Sequence, residues 1–144
     1  MSIFRVSIVL PFALALSSTA CSDDGVDSDL DSFVVSQERI VDRICECTDD
    51  TPECRDNPDA QAFDPDTIDC FREVLVANEE VSGVPEATSC LAAAFREAAD
   101  CFDEASCSDQ TAFQSCGAAF VAAEEACPEV PLEVEQMLDA CDPE

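Results

Sequence analysis

Apolar residues return at helical intervals along five stretches of this chain, and no stretch after residue 21 keeps the two-residue period of a strand for more than a few positions. From Phe33 to Cys47, the residues Phe33, Ile40, Val41, Ile44 and Cys45 return on one face, with Gln37, Glu38, Asp42 and Arg43 between them. This predicts a first amphipathic helix, capped by Asp31 or Ser32. Residues 48–65, with three prolines and several aspartates, then read as a long loop tied down by Cys54. A second helix is expected from Pro65 to Glu80, with proline in its first turn and Ile68, Phe71, Val74 and Leu75 as its apolar face. A third starts near Pro85 and presents Leu91, Ala94, Phe95, Ala98 and Phe102. The fourth, capped by Ser108 or Asp109, presents Phe113, Cys116, Phe120 and Ala123, and a fifth begins at Pro131 and offers Val134, Met137, Leu138 and Cys141. The expectation is an all-α fold, a small bundle of about five short helices spanning residues 33–144.

Cysteines add the covalent frame. The segments SCLAAAFREAADC and SCGAAFVAAEEAC each hold two cysteines eleven positions apart. Eleven residues make three helical turns plus roughly 20°, so each pair shares one stripe with about 16 Å between its members. Folded as an antiparallel hairpin, the two helices set Cys90 against Cys127 and Cys101 against Cys116. A fifth helix running back along the fourth would bring Cys141 to Cys107. Placing the start of helix two beside the end of helix one suggests Cys45 with Cys70, leaving Cys47 for Cys54. The faces are built mainly of alanine with one or two phenylalanines each, so burial is thin. Disulfides, typically about 2–4 kcal/mol each, are expected to offset the deficit.

The paired segments are also similar to the twin C-x9-C hairpins of the coiled-coil-helix family, with one residue more between the cysteines. That resemblance implies the same crosswise pairing of outer and inner cysteines, and nothing further is carried over from it.

Eleven cysteines in 144 residues point to an oxidising compartment. The N-terminus agrees: Arg5, an apolar run from Val6 to Leu16, and the small residues Ser17, Ser18, Thr19 and Ala20 before Cys21. The run is too short for a membrane span, which takes roughly 20 residues, and reads as a signal peptide over residues 1–20. Ser-Ser-Thr-Ala ending directly in Cys21 resembles the lipobox of bacterial lipoproteins, with Ser18 where that family favours leucine. The resemblance implies cleavage between Ala20 and Cys21, acylation of Cys21 with palmitate-like chains, and a membrane reached through the lipid. Ser22 after the cysteine, in place of aspartate, implies the outer membrane of a Gram-negative envelope. Parity fits: setting Cys21 aside leaves ten cysteines, enough for five disulfides.

Residues 21–32 read as an acidic linker, because SDDGVDSDLDS has five aspartates and two apolar residues. Within it, Asp27, Asp29, Asp31 and Glu38 occupy positions 1, 3, 5 and 12 of an EF-hand-like calcium loop, although Ser32 stands where that loop needs glycine.

Candidate chemistry is sparse. The chain contains no histidine, lysine, tryptophan or tyrosine. That removes the usual serine and cysteine triads and the usual zinc hydrolase sites, and the expectation is a non-enzymatic protein without a cofactor. Cys45-Glu46-Cys47 is the remaining candidate, as a labile dithiol or soft-metal pair, but a helix C-terminus opposes thiolate formation. With 33 Asp and Glu against 6 Arg, the formal charge is −27. Nucleic acid and anionic lipid surfaces are excluded as partners, and a basic protein or ligand is the charge-matched one. The function expected is that of an envelope-anchored binding or structural protein. Its alternatives are a redox or metal-handling protein using Cys45 and Cys47, and a freely secreted disulfide-rich effector.

Overall fold

The structure, a computed structural model, describes residues 25–48, 54 and 65–141. Five helices follow one another: α1 Gly25–Thr48, α2 Pro65–Ala77, α3 Val84–Glu104, α4 Gln110–Glu125 and α5 Leu132–Asp139, with no strand among the described residues. The chain is a small all-α bundle laced by five disulfides. The signal segment, Ala20 and Cys21 lie outside the described residues, as does most of the loop between α1 and α2.

The bundle is organised by α1 and α3, which lie side by side and point the same way. Val26 and Leu30 cluster with Val84, Phe33 packs on Phe95, Arg39 reaches Asp100, and Cys47 is bonded to Cys107. Partner numbers rise together with an offset near 60, the signature of parallel neighbours. The return path between them is α2, whose Leu75 joins Val26, Leu30 and Val84 at one end of the bundle while Ile68 packs toward Phe33 at mid-height. The α3–α4 hairpin behaves oppositely. Phe95 meets Phe120, Phe102 meets Phe113, and the Cys90–Cys127 and Cys101–Cys116 bonds rivet the antiparallel pair at two levels.

Local sequence explains the helix ends. Gly83, at φ 98°, turns the chain into α3 where a side chain would be strained, and its N–H donates to the Glu86 carboxylate at 3.2 Å. The N-cap of α4 is Asp109, whose carboxylate accepts from the Ala112 N–H at 3.0 Å. Arg43 closes the other end of α3 from a neighbouring helix, donating to the carbonyls of Phe102 at 3.2 Å and Ala105 at 2.7 Å. These carbonyls lie at or just past the C-terminus of α3, where the macrodipole favours a cation.

Three expectations are corrected. First, the acidic linker does not extend to residue 32: α1 begins at Gly25, eight residues before Phe33, and Val26 and Leu30 are buried. Arg72 of α2 pairs with Asp27 and with Asp31, at 2.8 Å for the latter, which offsets the repulsion along that turn. Second, α5 does not run back along α4. After Pro128 the chain crosses the end of the bundle, Pro131 passes beside Gly83, and α5 settles on α2 through Val134 and Leu138. Cys141 therefore reaches Cys70, not Cys107. Third, because α1 and α3 are parallel, their C-termini share one end of the bundle, so Cys107 bonds Cys47 and not Cys141, and the expected Cys47–Cys54 bond is not made. Cys54 goes instead to Cys45, which leaves no Cys45–Cys70 bond.

Candidate binding site

The same arrangement that separates α2 from α4 leaves a cavity of about 320 Å³ between them. That volume falls at the small end of the range for ligand sites, roughly 300–1,000 Å³. Its floor is Leu30 and Phe33 of α1 with Leu91 and Ala92 of α3. Phe71 and Leu75 of α2 form one wall, and the Cys127–Val130 turn forms the other. The Cys90–Cys127 bond pins that turn to α3, so the second wall is held covalently.

Polar side chains in the lining are few. Thr88 contributes the lone hydroxyl among the lining side chains, and it donates to the Val84 carbonyl at 2.8 Å. Glu124 and Glu129 are the charged lining residues, both exposed, and no arginine lines the space. An apolar interior with carboxylates at the mouth suits a ligand with an apolar body.

The sequence-predicted sites fall as follows. Cys90–Cys127 and Cys101–Cys116 are bonded as the hairpin geometry requires. Cys45 and Cys47 are split between two disulfides, to Cys54 and Cys107, so the candidate dithiol is not a vicinal pair of free thiols. Asp27, Asp29, Asp31 and Glu38 lie on the continuous helix α1, which corrects the calcium-loop reading. On a helix position 3 points away from positions 1 and 5, and position 12, though on their face, lies about 16 Å along the axis from position 1, so the four cannot wrap about one ion. Asp27 and Asp31, one turn apart, instead hold Arg72, and the hydrogen bonds its guanidinium donates to Asp31 and Asp27 raise its pKa above the ordinary value. Asp103 and Asp100 do the same for Arg39.

Sequence reasoning missed the cavity, and one signal for it was present. Val26, Leu30, Phe33, Gln37, Val41 and Cys45 recur at spacings of four, three, four, four and four, a single helical stripe, and all six are buried. The aspartates between the first three hid the stripe from a compositional reading. Thr88 and the Cys127–Val130 turn carry no comparable periodic signal; the Cys90–Cys127 bond brings them together, but the sequence does not show that α2 faces them across a gap.

No known protein family, curated protein or solved structure matches the chain.

Proposed function

We propose that this chain is a bacterial lipoprotein, anchored in the cell envelope through an acylated Cys21 and carrying a non-catalytic helical domain that binds a ligand. The observation that carries the anchor is the cysteine ledger. The five disulfides use every cysteine after residue 21, so the odd one falls at the residue the lipobox-like motif marks. Binding is supported by the cavity and by the absence of histidine, and the excess of carboxylates favours a positively charged partner. The outer membrane is the address that Ser22 supports.

An intact mass of the protein from its host's membranes tests the anchor. The expected species begins at Cys21 with acyl chains attached and takes up no alkylating reagent before reduction. Recovery from the culture medium with Cys21 unmodified would point to the freely secreted form. Alkylation of two thiols without reduction would revive the redox role of Cys45 and Cys47.

A further inference from the structure

We propose that the cavity takes a small cationic amphiphile, its apolar body lodged between α1, α2 and α3 and its positive group at the mouth beside Glu124 and Glu129. This rests on reading the domain as a binding module and is independent of the lipid anchor. The interior excludes a polar ligand: Leu30, Phe33, Leu75 and Leu91 offer no hydrogen bonds, and the Thr88 hydroxyl donates elsewhere. Purely hydrophobic contact would accept fatty acids, sterol-like rings and cationic amphiphiles alike, so the charge at the mouth decides among them.

Two carboxylates flank the Cys127–Pro128 turn, and no lining side chain is cationic. A fatty acid or alkyl sulfate would set its anion against Glu124 and Glu129 with no counter-charge. An ammonium or guanidinium group gains both, and the formal charge of −27 over the whole chain draws cations toward the surface from a distance. Phe71, at the wall, adds an aromatic ring that an alkylammonium can approach. Arg72, the arginine nearest in sequence to a lining residue, does not neutralise the mouth, because it is held by Asp27 and Asp31.

Calorimetric titration tests this with the chain from residue 21 onward carrying Cys21→Ser, so that no acyl group is present, after mass analysis has verified five disulfides. The probes are hexyltrimethylammonium, its anionic counterpart hexyl sulfate, and tetramethylammonium, which lacks the tail. Hexyltrimethylammonium should bind at least tenfold more tightly than either of the others. Glu124→Gln with Glu129→Gln, both exposed, should weaken it by roughly fivefold and flatten its salt dependence. Leu91→Trp, which fills the floor, should abolish binding while circular dichroism and disulfide mass stay unchanged. Equal binding of hexyl sulfate, equal binding of tetramethylammonium, no binding of hexyltrimethylammonium, or indifference to the double Gln variant would each overturn the proposal. None of these outcomes alters the mass of the native protein, so failure of the ligand and failure of the anchor are read separately.

Discussion

Phe95 is the residue on which the three principal helices converge. Its ring meets Phe33 of α1 edge-on at 4.4 Å and Phe120 of α4 at 4.7 Å, and only 5% of the residue is exposed. Such pairs contribute about 0.5–1.5 kcal/mol each beyond burial. Beside Ala92 and the other buried alanines of α3, short side chains that cannot reach inward, little can collapse into the space a lost ring leaves. Phe95→Ala should therefore cost about 3–5 kcal/mol in chemical denaturation with disulfides intact, and Phe95→Leu markedly less. Arg43 is the other residue with more than one task. Its guanidinium closes two α3 carbonyls and also pairs with Glu46 at 3.0 Å. Arg43→Lys keeps the charge but not the fork geometry, and should lower stability by about 1–3 kcal/mol in the same assay. A loss no larger than that of Arg39→Lys, a surface pair, would show that the carbonyl contacts carry no weight. Arg39 is itself 39% exposed, and solvent screening leaves such a pair little weight.

At the scale of elements, the helices were legible because each carries its own period: α2, α4 and α5 begin within a residue or two of where Pro65, Asp109 and Pro131 place them. The hairpin pairing was legible for the same reason, since cysteines eleven apart fix which helical face must meet its neighbour. What the sequence did not carry was which helices run parallel. Short connections favour antiparallel neighbours, and that prior misassigned Cys45, Cys47, Cys54, Cys70, Cys107 and Cys141 together. Parallel α1 and α3 depend on contacts far apart in sequence, such as Arg39 with Asp100 and Asp103. The structure predicts that a non-reduced digest yields Cys47 linked to Cys107 and Cys70 linked to Cys141, and mass spectrometry of the linked peptides decides it. Replacing Cys47 and Cys107 together by serine removes a link between residues 60 apart, and should cost about 2–5 kcal/mol of unfolding free energy. It should leave the bundle helical by circular dichroism, because Phe33, Phe95 and Arg39 still hold α1 on α3.

The whole molecule bears a formal charge of −27, which keeps copies apart but also strains the compact state. Screening should relieve that strain, so Tm is expected to rise as salt is raised from about 10 mM to about 500 mM, although the surface arginine pairs weaken over the same range. A falling Tm would mean that the arginine pairs outweigh the general repulsion. The disulfides also have a consequence for how the domain could be shed. Every peptide bond from Cys45 to Cys141 is spanned by at least one of them: Cys47–Cys107 and Cys70–Cys141 overlap, and Cys45–Cys54 covers the start. A protease cutting once anywhere in that span frees no fragment; the nicked molecule migrates whole until it is reduced. Ahead of Cys45 no such bond exists among the described residues, and α1 is held there by non-covalent contacts, among them Val26, Leu30, Phe33, the bridge to Arg72 and the contacts of Arg39 and Arg43 with the end of α3. There one cut can part the bundle from the chain that precedes it, which makes the segment before Cys45 the cleavable side of a domain closed to single-site cleavage from Cys45 to Cys141.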